Sequence, residues 1–193
     1  MSDQLEHAST ESLDSVLGDR ATAISRDLKL NLRRLLEESA LDPREAYLTL
    51  MAVATAVNEP SLVVYARVKL VELGLPPEQI REAAESAALM AMLNVYYRFR
   101  HTIEKEEDYR TAGLRMTALA RPQIGKVSFE MLGFAVSVLN GCPSCIRSHE
   151  QILRDSGVHA DKVHDLARLA AVVNGWKVLG HANLVEGEKT VAT

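Results

Sequence analysis

A chain of 193 residues, 47% hydrophobic and 25% charged, can bury one substantial core without covalent staples. Its net charge of -4 excludes nucleic acid as the main partner, because phosphate binding wants a basic face and none stands out. No apolar run reaches the roughly 20 residues that span a bilayer.

The chain starts Met1-Ser2-Asp3-Gln4-Leu5-Glu6, without the charged and apolar regions of a signal peptide, so the cytoplasm is the expected compartment. Thiols stay reduced there, and a close cysteine pair reads as catalytic, redox-sensing or metal-binding rather than structural. Residues 1–18 read as a frayed or adaptive N-terminal extension ahead of a single domain over 19–193. Leu28, Leu32, Leu35 and Leu36 then mark one apolar helix face. Asp42-Pro43-Arg44-Glu45 is an N-cap followed by Pro at the first helical position, predicting a helix over about 43–57. Asn58-Glu59-Pro60 and Gly74-Leu75-Pro76-Pro77 bracket another. The stretch 77–103 predicts one long helix, or two broken near Asn94. Within it Met90, Met92, Tyr96 and Tyr97 form a stripe at helical spacing, read as core or subunit contact. Glu104-Lys105-Glu106-Glu107-Asp108 reads as a solvated face or loop.

With 6 Pro, 10 Gly and no alternating run long enough for a sheet, the fold class is all-α. A faint repeat organises it: Asn58 and Gly74 to Ile80 correspond to Asn140 and Gly157 to Val163, at an offset of 82 and then 83 residues. Two related helical hairpin units, about 43–103 and 127–180, would bury their apolar faces against each other, joined by Asp108 to Lys126. In this alignment Pro60 and Val63 stand opposite Cys142 and Cys145, so one unit is scaffold and the other carries thiols.

Cys142 and Cys145 are the only cysteines, and His149 follows the second by four residues. Asn140-Gly141 closes one helix and Pro143 suits the first turn of the next, which puts both thiols at a helix N-terminus. Residues at i and i+3 lie about 5 to 6 Å apart on one helix face, close enough for a disulfide with small adjustment. The positive end of the helix dipole favours thiolate over thiol. His149, one turn below Cys145, can exchange a proton with it; Cys145 is then the attacking thiol, and Cys142, nearer the exposed end, its partner. An antiparallel hairpin of about 127–139 and 143–156 puts Glu130 within roughly 5 Å of the level of His149 along the axis. Glu130 either pairs with that imidazole or sits on the wet side of its helix. Zinc could take the same set, Cys142, Cys145, His149 and Glu130, although no second C-x-x-C completes a usual structural site. A non-enzymatic redox or zinc sensor would use the same residues. His159, His164 and His181 read as surface or capping residues.

Phe129-Glu130, the twelve-residue step to Cys142, and Asn140-Gly141-Cys-x-x-Cys-x-x-x-His149-Glu150 resemble the alkyl hydroperoxide reductase D (AhpD) family, in the carboxymuconolactone decarboxylase-like superfamily. Asp27 to Leu32, Asn94-Val95-Tyr96-Tyr97-Arg98, Gly113 to Met116 and Pro122 to Lys126 are similar to that family too, so the resemblance runs from about 20 to 180. It implies an all-helical antioxidant enzyme, usually a homotrimer, with weak peroxidase activity. Such an enzyme holds no metal and no tightly bound cofactor. Its electrons come from the lipoyl group of a 2-oxoacid dehydrogenase component and pass to a peroxiredoxin, alkyl hydroperoxide reductase C. By position, Cys145 becomes the sulfenic acid, Cys142 is proton donor and resolving thiol, and His149 with Glu130 forms the proton relay. Ser144 stands where family members often have a histidine. A decarboxylase or lactonase, suggested by the superfamily name, would not require both thiols.

Overall fold

A computed structural model describes residues 12–17, 22–103 and 107–187. These residues form eight α-helices and no strand: α1 (Leu13–Leu17), α2 (Ala23–Glu37), α3 (Pro43–Ala56), α4 (Pro60–Glu72), α5 (Pro77–Ile103), α6 (Lys126–Leu139), α7 (Pro143–Asp155) and α8 (Ala160–Gly187). A short 3-10 helix, Thr117–Ala120, lies in the connection before α6. Of the N-terminal extension, residues 12–17 carry α1, whose Leu13 and Leu17 are buried, while 1–11 and Gly18 lie outside the described residues. Of the acidic run, Glu107 and Asp108 are an exposed turn, and 104–106 lie outside the described residues.

Local chemistry sets the helix starts. Thr22 accepts from the Ser25 amide at 3.2 Å, and Asp42 and Glu45 form a reciprocal capping box at 2.9 Å each way. Proline occupies the first turn of α3, α4 and α7, where its missing N–H costs nothing.

The centre of the molecule is α3 packed on α6. Leu48 to Ala54 of α3 and Met131 to Ser137 of α6 are buried without a break, the pattern of helices surrounded on all sides rather than amphipathic at a surface. Around them α4 and α5 pack on α3, α7 and α5 on α6, and α8 on both central helices. The stretch 77–103 is one unbroken helix. Asn94 does not interrupt it because its side chain is fully buried and bonded outward, to Ser137 and Asn140 of the α6 end.

Helices α3, α4 and α5 start at 43, 60 and 77, and α6, α7 and α8 at 126, 143 and 160, a uniform step of 83 residues. Paired helices have 14 and 14, 13 and 13, and 27 and 28 residues. This register corrects the alignment of Asn58 with Asn140. The residue with left-handed backbone in the α3–α4 turn is Asn58 (φ 57°), and in the α6–α7 turn it is Gly141 (φ 61°). Glu59 and Leu62, not Pro60 and Val63, therefore stand opposite Cys142 and Cys145.

Candidate active site

The α6–α7 hairpin builds the site. The amide of Asn140 closes α6 by donating to the Val136 carbonyl, and Gly141 turns the chain through a left-handed conformation that costs a glycine little. The Cys142 amide then reaches back to the Ser137 carbonyl at 3.2 Å. Cys142 is the N-cap of α7 and Cys145 lies in its first turn, which carries no acidic residue to oppose a negative sulfur. The two cysteines are joined by a disulfide, with Cα atoms 5.3 Å apart.

Their exposures reverse one expectation. Cys142 is 0% exposed and Cys145 8%, so Cys142 is not at the exposed end of the pair. The Gly141 turn bonds the Cys142 amide back to Ser137 and so holds the N-cap against the end of α6, whereas Cys145, one turn further on, lines the cavity described below. Ser144 stands beside the buried sulfur, its Oγ 3.6 Å from Cys142 Sγ.

His149 and Glu130 meet across the hairpin. His149 Nδ1 is 2.6 Å from Glu130 Oε2, and the side chains are 17% and 16% exposed. Glu130 is thus the paired carboxylate rather than one on the wet side of α6. Gly133 makes room for this contact. A Cβ built there would lie 2.7 Å from His149 Cε1 and 3.0 Å from Nε2, so the imidazole rests on the bare backbone of α6 one turn beyond Glu130.

Cys145, His149, Glu130 and Ser144 open onto one cavity of about 420 Å³. Its far wall is α5, with Met90, Leu93, Asn94, Tyr97, Arg100 and His101, and the connection before α6 adds Met116 and Leu119. Sequence reasoning missed most of this wall. The methionine and tyrosine stripe divides: Met90 is buried and, with Tyr97, faces the cavity, whereas Met92 is exposed. Asn94 ties that wall to the turn before the thiols, donating to Ser137 Oγ and accepting from Asn140 Nδ2, each at 2.9 Å. Arg98 adds a bond to the Asn140 carbonyl. The helical phase of Asn94, buried between Met90 and Tyr97, is the one signal that could have marked it.

The remaining histidines on the later helix stay apart from this cavity. His164 and His181 are exposed, and His159 pairs with Asp161 at 3.1 Å in solvent. Among the described residues, no group of three or more His, Cys, Asp or Glu side chains is disposed to hold a metal ion.

Comparison with known proteins adds a second line of observation. The carboxymuconolactone decarboxylase family model matches residues 108–185, a span that holds Glu130, both cysteines and His149. An alkyl hydroperoxide reductase AhpD of Anaeromyxobacter dehalogenans is 40% identical over 163 residues, covering 82% of this chain and 87% of its own. The protein of the same name in Streptomyces coelicolor is 41% identical over 179 residues, 92% and 97% of the two chains. That of Mycolicibacterium paratuberculosis is 34% identical over 185 residues, 96% and 98%.

Proposed function

Because the chain belongs to the alkyl hydroperoxide reductase AhpD family, we propose that it is a thiol-dependent hydroperoxide reductase, taking electrons from dihydrolipoyl groups and passing them through Cys142 and Cys145 to hydroperoxides and a peroxiredoxin. The observation that carries this reading is that Cys145, His149 and Glu130 open onto one cavity. A volume of about 420 Å³ suits a small organic substrate.

In this proposal His149 takes the proton of Cys145, while Glu130, bonded to Nδ1, holds the ring and offsets its positive charge. The Cys145 thiolate attacks the hydroperoxide oxygen, the O–O bond breaks, and alcohol leaves with Cys145 as sulfenic acid. Cys142 then attacks that sulfur, water leaves, and the disulfide forms. Two thiols and one hydroperoxide become a disulfide, an alcohol and water. A dihydrolipoyl group returns two electrons and two protons.

The electron donor in this reading is the lipoyl domain of a 2-oxoacid dehydrogenase component, and no resident metal or cofactor takes part. A homotrimer belongs to the same proposal. Met92, Val95, Phe99 and Ile103 form an exposed apolar row along α5 at helical spacing, a face that a second copy would cover. So does a cytoplasmic setting; no helix among the described residues is long and apolar enough to cross a membrane.

The test is turnover. The purified protein, given dihydrolipoamide and an organic hydroperoxide, is expected to oxidise many equivalents of dithiol, and more with a peroxiredoxin present. A single stoichiometric oxidation that then stops would refute the enzyme and favour a sensor.

A further inference from the structure

We propose that the reducing dithiol attacks the disulfide at Cys145, that Cys142 leaves as thiolate, and that the Ser144 hydroxyl is the catalytic group that receives it. The inference rests on the reading of the pair as the redox centre and assigns its reductive half. Thiol–disulfide exchange requires the incoming sulfur to reach the sulfur it attacks, so access decides between two otherwise similar targets. Access here is one-sided. Cys145 lines the cavity, whereas Cys142 is 0% exposed and does not line it.

The leaving side is built as well. Exchange is faster when the departing sulfur is stabilised as thiolate. Cys142 is the N-cap of α7 and lies at the positive end of the helix dipole. Ser144 Oγ is 3.6 Å from Cys142 Sγ, and a disulfide sulfur carries no proton, so the hydroxyl is the donor in this state. As the S–S bond breaks, that contact becomes a hydrogen bond to a charged sulfur and strengthens. Ser144 also lines the cavity, which leaves it between the entering dithiol and the buried sulfur.

The step balances. A donor thiolate forms a bond to Cys145 Sγ, the Cys142–Cys145 bond breaks, and its electron pair goes to Cys142. The donor's second thiol then attacks the donor sulfur of the mixed disulfide and releases Cys145. The donor leaves as a cyclic disulfide, and its two protons end on Cys142 and Cys145. Since hydroperoxide is also reduced at Cys145, both substrates use one cavity in alternate redox states.

The experiment starts from the oxidised full-length protein. It is mixed with a monothiol, cysteamine, which cannot complete the second exchange. The reaction is quenched with acid at successive short times, alkylated with N-ethylmaleimide and mapped by mass spectrometry. At the earliest times cysteamine is expected on Cys145 and maleimide on Cys142; early adducts on Cys142 overturn the proposal. This mapping needs no hydroperoxide turnover, so it stands or falls separately from the peroxidase reading. Ser144→Ala is expected to slow adduct formation roughly ten- to a hundredfold, the scale of one hydrogen bond to a charged group, and more than it slows sulfenic acid formation. Ser144→Thr, which keeps the hydroxyl, restores the rate. Equal rates for wild type and Ser144→Ala overturn the part assigned to Ser144. In steady state, excess dithiol is expected to inhibit competitively against hydroperoxide and the reverse; noncompetitive patterns overturn the shared cavity.

Discussion

His149 Nδ1 lies 2.6 Å from Glu130 Oε2, so the imidazole of α7 is fixed by a carboxylate of α6 across the hairpin that carries the thiols. Both groups are mostly buried, and a buried carboxylate and imidazole stabilise each other only while the contact is made. With Nδ1 committed to Glu130, Nε2 is the ring nitrogen left for the proton exchange proposed above. The pair thus sets the orientation of the ring.

Removing either partner tests that arrangement. Glu130→Gln and His149→Gln should each keep the fold yet lower the rate at neutral pH by about 10² to 10⁴, the usual scale of general-base assistance. Much of the rate should return as pH rises and thiolate forms unaided. The double variant should be little worse than either single one, because groups acting as one chain are not additive. The measurement is alkylation rate of Cys145 against pH, with Cys142→Ser in every protein so that one thiol reports. Superimposable curves would mean that the α7 N-terminus activates Cys145 alone.

The division of labour between the thiols gives a second prediction. Cys145→Ser should abolish both turnover and the sulfenic acid that dimedone traps after peroxide, whereas Cys142→Ser should abolish turnover and let the trapped species accumulate. Sulfenic acid trapped on Cys142 would reverse the assignment. Both variants should fold, since each replaces a sulfur by an oxygen of similar size.

Much of the site is legible in the chain because it is local. A nine-residue turn and helix start, Gly141 to His149, fixes the spacing of two thiols and an imidazole on one helix, and the short turn forces α6 alongside with Glu130 at the right level. The exposure order of Cys142 and Cys145 is not legible, because it depends on how the Gly141 turn holds the N-cap against the end of α6. Nor is the α5 wall. Which of its turns faces α7 is decided by how the two helices cross, and that depends on packing among α3, α5 and α6 rather than on spacing within α5. The repeat register fails for a related reason. Asn140 resembles Asn58 as a residue, but backbone conformation pairs Asn58 with Gly141.

Metal removal separates redox chemistry from zinc chemistry at the same residues. A strong chelator should leave both turnover and thermal unfolding nearly unchanged in protein purified without added metal. A structural zinc would contribute directly to folding, so its loss would lower the melting temperature. One equivalent of tightly held zinc, lost together with activity, would overturn the thiol mechanism.

Gly133 supplies the most discriminating substitution. Alanine inside a helix ordinarily stabilises relative to glycine, by roughly 0.5 to 1 kcal/mol. Here the new Cβ would lie 2.7 Å from His149 Cε1, a distance that carbon atoms do not tolerate, so the ring must swing off α6 and release Glu130. A largely buried carboxylate left without its partner costs about 1 to 3 kcal/mol, which outweighs the helical gain. Gly133→Ala should therefore lower stability slightly and reduce activity nearly as far as His149→Gln does, although residue 133 touches no sulfur. In a His149→Ala background the collision is absent, and the same Gly133→Ala change should become stabilising. Urea unfolding of the four proteins in this cycle measures the change of sign. Equal destabilisation in both backgrounds would mean that Gly133 serves the packing of α6 and not the seating of the imidazole.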